Sequence, residues 1–237
     1  MINIIYQDDH LIAVHKPAGL LVHPTRQDQH TRGSLMQEVR DQIGQWVYPV
    51  HRLDKATSGL VLLALSPEIA RALGDQFAQK TIRKTYQAIV RGFITAEGLI
   101  DYPLKYLWDK KTAPLGNADK APQEAQTRFF PLQTVELPFP VGRYQTARFS
   151  WVELQPLTGR NRQLRRHMKH IFHPIIGDKK HGDHRQNKFM ADYLESSDLL
   201  LQASKLELIH PHTQTPLIIA QSPQGPFAAS LVRLGWS

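Results

Sequence analysis

The sequence predicts an α+β chain, folded as one domain over residues 1–237, of short strands and a few helices. Three observations predict it. Apolar residues alternate with polar ones in several short runs, two segments combine a helix cap with apolar residues at every fourth position, and Gly59 to Leu65 is almost continuously apolar.

Taken in order, Ile4-Ile5-Tyr6 and Leu11-Ile12-Ala13-Val14 are β-rich runs around the polar tetrad Gln7-Asp8-Asp9-His10, which predicts a hairpin. His15-Lys16-Pro17-Ala18-Gly19 breaks the second strand. Ser34 and Gln37 have capping-box spacing, and Leu35, Val39 and Ile43 share one face, so a surface helix is expected from Leu35 to Ile43, with Gly44 ending it. Gly59 to Leu65 has strand length and reads as a central strand buried on both faces.

Ser66-Pro67-Glu68 supplies a cap, a first-position proline and a first-turn acid, which predicts a helix from Pro67 to about Lys80 with Ile69, Leu73 and Phe77 inward. Thr85 to Val90 alternates as a strand and closes at Arg91-Gly92. Further strands are expected at Ala147 to Leu154, Leu199 to Leu201 and Leu206 to His210. The lysine-rich stretch from Lys105 to Gln126, with Pro114, Gly116 and Pro122, reads as a long exposed loop.

Composition narrows the function. The 29 Lys and Arg against 21 Asp and Glu leave a formal charge of +8, which favours a polyanionic partner, nucleic acid or a membrane surface. There is no cysteine, so disulfides, thiolate metal sites, iron–sulfur clusters and thiol nucleophiles are excluded. The N-terminus lacks a basic leader, and no stretch approaches the ~18 apolar residues of a membrane span. A cytoplasmic protein is expected. Glycine-rich dinucleotide loops, Walker-A loops and G-x-S-x-G elbows are all missing from the sequence.

Asp54 lies between Arg52 and Lys55, just before the turn Lys55-Ala56-Thr57-Ser58-Gly59. Neighbouring cations favour an ionised carboxylate, which suits a nucleophile or general base, although a lone aspartate there reads first as a turn former. From Thr158 to Met168 a glycine turn opens a basic helix whose Leu164, Met168 and Ile171 share a face. One inward arginine there could pair with a buried carboxylate. His167, His170 and His173 are three apart, but with no H-E-x-x-H pattern and Pro174 following, no metal site is expected. Tyr86 is either a cross-strand packing residue or the aromatic face on which a flipped base stacks.

Together these segments resemble the RluA family of pseudouridine synthases along most of the chain. The resemblance rests on His51-Arg52-Leu53-Asp54 followed by Thr57-Ser58-Gly59-Leu60, on His15-Lys16-Pro17-Ala18-Gly19-Leu20-Leu21-Val22-His23-Pro24, and on Lys84-Thr85-Tyr86-Gln87-Ala88-Ile89-Val90. It extends through Thr158-Gly159-Arg160, Gln163-Leu164-Arg165, His167 and Pro174-Ile175-Ile176-Gly177-Asp178 with His181-Gly182. One position departs, since Arg162 stands where the family has a histidine.

The resemblance implies a bent, mixed, mostly antiparallel sheet flanked by helices and loops, with a central catalytic cleft and no N-terminal accessory RNA-binding domain. It implies an enzyme that isomerises a uridine in RNA without redox change and so without a cofactor. Asp54 would be the essential carboxylate, whether it attacks the base, attacks the sugar or removes a sugar proton. Arg165 would pair with Asp54, Tyr86 would stack on the extruded uracil, Arg52 would brace the gap, and Leu164 would wall the pocket.

Asp41-Gln42-Ile43-Gly44-Gln45, Gly142-Arg143-Tyr144, and Lys180-His181-Gly182-Asp183 with Arg185-Gln186-Asn187 are similar to a branch acting on uridine 65 of tRNA. Ribosomal RNA is the alternative substrate, and a monomer is expected. Two other classes compete: a non-catalytic RNA-binding protein, favoured by charge alone, and a glycoside or nucleoside hydrolase, which would need a second carboxylate that Asp54 lacks in the sequence.

Overall fold

A computed structural model describes residues 1–23, 33–106 and 121–236. Among the described residues ten strands form one sheet in the order β1 (Asn3–Gln7), β2 (Leu11–Lys16), β4 (Ser58–Ala64), β9 (Leu201–Ile209), β5 (Arg83–Arg91), β8 (Ala147–Pro156), β7 (Gln126–Leu137) and β6 (Gly98–Asp101), with β3 (Tyr48–Pro49) on β4 and β10 (Pro216–Ala220) on β9. Every named pair is antiparallel except β4 with β9, so the sheet is mixed and mostly antiparallel, as expected. Among the described residues, no helix is long and apolar enough to cross a membrane.

The predicted hairpin is β1 (Asn3–Gln7) and β2 (Leu11–Lys16). Helix α1 spans Leu35–Ile43; the Ser34 hydroxyl accepts the Gln37 N–H, and Gly44 ends the helix in the left-handed region. After the short β3 (Tyr48–Pro49), β4 (Ser58–Ala64) is buried from Gly59 to Ala64. Helix α2 spans Pro67–Ala78, capped by Ser66, with Ile69 and Leu73 packed inward and Phe77 partly buried. It stops two residues before Lys80, whose φ of 60° lies outside a right-handed helix.

Strand β5 (Arg83–Arg91) is the spine. Its alternating side chains enter two different cores, Ile89 beside α4 (His184–Leu194) and α5 (Gly225–Arg233), and Ala88 with Val90 beside α3 (Gln163–His170). Strand β8 (Ala147–Pro156) pairs with it and extends the predicted run. The hairpin of β6 (Gly98–Asp101) and β7 (Gln126–Leu137) completes that edge and was not expected from the sequence. The predicted loop therefore ends in a strand at Gln126, and Leu104 and Gln123 already exchange backbone hydrogen bonds. Its centre, with Pro114 and Gly116, lies outside the described residues, as does Pro24.

The expected pieces Leu199–Leu201 and Leu206–His210 are corrected to one strand, β9 (Leu201–Ile209). Its polar middle is held from afar: the Ser204 hydroxyl donates to the Thr85 carbonyl and Gln202 to that of Gln224. On one side β9 pairs with β5 from Leu201 to Glu207. On the other its neighbour changes from β4, at Gln202 and Ala203, to β10 (Pro216–Ala220), from Lys205 on. At that fork the β5–β9 register shifts between Thr85 and Tyr86, and such bulges re-aim side chains.

Gly59 makes the β4–β9 contact possible. It holds φ of +111°, and a Cβ there would collide with the backbone oxygen and nitrogen of Ala203. Gly59→Ala should lower stability by about 2–4 kcal/mol from collision plus strain, read as a lower urea midpoint. An unchanged midpoint would show that the strands separate without penalty.

Candidate active site

The segment from His51 to Thr57 leads into β4, whose Ser58 and Gly59 pair with β9 at the fork. The Thr57 N–H donates to the Asp54 carbonyl at 3.0 Å and fixes the turn. Beneath it Lys16 is fully buried, with its ammonium donating to the carbonyls of Pro17, Leu20 and Lys55 at 2.9, 2.9 and 3.1 Å. One cation thus ties the loop after β2 to the loop holding Asp54. Burial pushes the Lys16 ammonium down to about 8, against the opposing pull of the Asp54 charge.

His51 supports the loop from its other end. Its Nε2 accepts the Leu62 N–H at 2.9 Å, so that nitrogen carries no proton, and its ring stacks on Phe77 at 4.8 Å. Burial, with the nearby Lys84 charge, pushes His51 down to about 4. Unfolded, the imidazole takes a proton near pH 6.5 that the folded protein refuses until about 4. The resulting stability is complete above pH 6.5 and is lost as pH falls toward 4. From pH 7 to 4.5 the wild type should lose about 2 kcal/mol more than His51→Gln, by urea titration at each pH; parallel pH profiles would refute this.

Asp54 is half-buried and meets Arg165, whose Nη1 donates to its Oδ2 at 2.9 Å. The same guanidinium grips Asp178 with two further bonds of 2.7 Å, from Nε and Nη2. Asp178 is itself fixed, its Oδ1 also accepting the Lys180 and His181 N–H groups at 2.9 Å. Burial pushes the Asp178 carboxyl up, but the Arg165 and backbone hydrogen bonds outweigh it and hold the group below the usual carboxylate range. Arg165 is thus aimed from behind, with one arm left for Asp54.

Above this pair lies a cavity of about 360 Å³. Its lining includes Arg52, Asp54, Lys84, Tyr86, Leu164 and Arg165, so all five residues singled out in the sequence converge there. Arg52 is exposed at the rim, and Leu164 is buried on α3. Burial, reinforced by the Asp54 charge, pushes the Tyr86 phenol up to about 12, so it stays protonated at neutral pH. A buried network carries the turn into α3: the Thr158 hydroxyl and the Arg160 N–H donate to Gln163 Oε1 at 2.6 and 3.0 Å. Arg162, the position that departs from the resemblance, takes the left-handed conformation at the helix start.

The three histidines do not converge. His167 bonds Thr127 and the Tyr102 carbonyl, His170 stacks on the Tyr102 ring at 3.6 Å, and His173 bonds the Arg91 carbonyl. Two site residues carry no role in the sequence reading: Lys84, which lines the cavity, and Asp178, which holds Arg165 from outside its lining. Lys84 was legible, because residues two apart on a strand share a face and Tyr86 had been singled out. Asp178 had no local signal for its partner, since Arg165 reaches it across a loop rather than along one element.

Comparison with known proteins adds three findings. A family model described as RNA pseudouridylate synthase matches residues 10–170. The chain is 50% identical over 236 residues to a protein named tRNA pseudouridine synthase C from Pectobacterium carotovorum, covering 100% of this chain but 63% of that protein, and to its namesake from Salmonella typhimurium, covering 91% of the latter. A solved structure titled Human RNA Pseudouridylate Synthase Domain Containing 1 superposes with a TM-score of 0.73 at 22% identity, over 94% of this chain and 84% of that one, a likeness of fold.

Proposed function

The chain belongs to the RNA pseudouridylate synthase family, and from that premise we propose that it converts uridine 65 of tRNA to pseudouridine, with Asp54 as the essential carboxylate. The observation that carries the reading is the Asp54–Arg165 ion pair at the wall of a cavity that also presents Tyr86. The tRNA assignment is supported by the names of the most similar relatives.

The reaction breaks the N1–C1′ bond of uridine, turns the uracil and joins C5 to C1′. The proton lost from C5 balances the one gained at N1, so no electrons change hands and no cofactor is required. Attack on the base, attack on the sugar and removal of a sugar proton all need the Asp54 carboxylate positioned, which the 2.9 Å ion pair with Arg165 does. Tyr86 stacks on the flipped uracil, Leu164 closes the wall, and Arg52 at the rim braces the emptied position. Extrusion costs a few kcal/mol, offset by phosphate contacts from the basic surface. The enzyme would act in the cytoplasm as a monomer, its catalytic domain spanning residues 1–237.

The test is release of tritium from C5-labelled uridine in unmodified tRNA and ribosomal RNA transcripts. Release confined to tRNA, at one position, supports the reading. Release from ribosomal RNA alone would overturn the substrate and keep the chemistry, and none from either would return the chain to a binding role.

A further inference from the structure

The hairpin joining β7 to β8 and the end of β5 build a second basic and aromatic surface outside the catalytic cavity. Arg91 closes β5 five residues beyond Tyr86, about 17 Å along an extended strand. Val141 and Tyr144 exchange backbone hydrogen bonds at 3.0 and 3.3 Å, which closes a tight turn over residues 141–144. Gly142 takes φ of +65° there, a conformation that side chains resist.

The turn presents Tyr144 to solvent at 45% exposure, with the guanidinium carbons of Arg91 and Arg143 at 5.8 and 5.1 Å from its ring centre. Nearby Phe93 is 37% exposed and carries Arg148 over its ring at 5.2 Å. A hollow of about 590 Å³ opens among Arg91, Phe93, Tyr144, Arg148 and Gln186. Gln186 is 5% exposed, and among the described residues its buried side-chain oxygen has no hydrogen-bond partner. Arg91 and Arg148 are offset by Asp183 and Glu136 at 3.1 and 3.3 Å. Arg143 and Arg185 make no ion pair among the described residues, which leaves a net positive surface.

Exposed rings carrying guanidinium groups around a concave hollow have the chemistry that single-stranded nucleic acid recognises, because every base offers a face to stack and every phosphate a charge. An acidic peptide would need the charges but not the rings. We propose that this surface is a second docking site for the substrate RNA. An unpaired base joins the Phe93–Arg148 and Tyr144–Arg143 stacks, and a phosphate meets Arg143. The inference rests on the reading of the chain as an RNA-modifying enzyme and extends it to a contact away from the reacting uridine.

The test compares wild type, Phe93→Ala/Tyr144→Ala and Arg143→Gln on a full-length tRNA transcript and on a short stem-loop carrying only the target uridine, with urea midpoints as the folding control. The double variant should raise Kd and KM for the full transcript at least tenfold, by roughly the loss of one stacked base, while kcat at saturating RNA and turnover of the stem-loop stay at wild-type values. Arg143→Gln should reduce the slope of log Kd against log salt by about one. Unchanged affinity for the full transcript would overturn the proposal and leave the surface to an acidic protein. An equal loss on the stem-loop would overturn it too, because the residues would then act on the catalytic cavity. If wild type binds RNA but forms no pseudouridine, the catalytic reading fails, while a binding defect in the double variant would still support the docking site.

Discussion

Asp54→Asn should lower pseudouridine formation at least about 10³-fold while leaving RNA affinity within about twofold. The two effects separate because the substitution keeps the shape of the side chain and removes only its charge. Arg165 remains anchored by its two bonds to Asp178, so the cavity wall keeps its geometry. Phosphate binding draws on the cationic surface, to which a carboxylate contributes nothing favourable. Single-turnover tritium release and filter binding on the same transcript give both numbers. Loss of affinity as large as the loss of rate would mean that Asp54 organises the surface, and retention of rate would remove it from the chemistry.

Arg165→Met should show the second large effect, on stability as well as rate. The variant removes three charge-assisted hydrogen bonds and strands Asp178, whose side chain is 0% exposed, as a buried carboxylate facing an apolar group. Breaking a buried pair in this way costs about 3–5 kcal/mol. Lysine cannot replace the arginine, because one ammonium lacks the planar fork that reaches both carboxylates. Arg165→Met/Asp178→Asn should recover part of the stability and none of the turnover, since Asp54 stays unpaired.

The pH dependence supplies a further check with a definite sign. In the wild type, Asp178 is held below the usual carboxylate range, so its contribution is present above the unfolded value near 4 and is lost as pH falls through the folded value. Without Arg165, burial dominates and raises the same group, so the variant becomes relatively less unstable as acid neutralises the carboxylate. Urea midpoints of the two proteins should converge with falling pH; a constant gap would refute the account.

Local chemistry was enough for the hairpin, both helices and the central strand in the first third of the chain, though not for the short β3. Helix α1 begins and ends where Ser34 and Gly44 place it, α2 begins at Pro67, and β4 is buried as its apolar run requires, because caps and burial patterns act over a few residues. The ordered motifs also brought Asp54, Tyr86 and Arg165 to notice as chemistry rather than packing. Strand β7 escaped because it breaks the local rules: Pro131 sits inside it, tolerated where the register with β8 shifts and where β6 no longer pairs on the other side.

Short-ranged signals in the sequence settled the caps and the buried runs, the excess of positive charge, and the residue types of the candidate site. Only the tertiary structure decided that two apolar fragments are one strand, β9, and that Asp178 aims Arg165 at Asp54. It alone showed that Tyr86 stands beside the fork where β9 changes partner from β4 to β10. The physical reason is the same in each case: a buried polar group is tolerable only with a partner, and the partners of Ser204 and Arg165 are supplied by chain closure rather than by neighbouring residues.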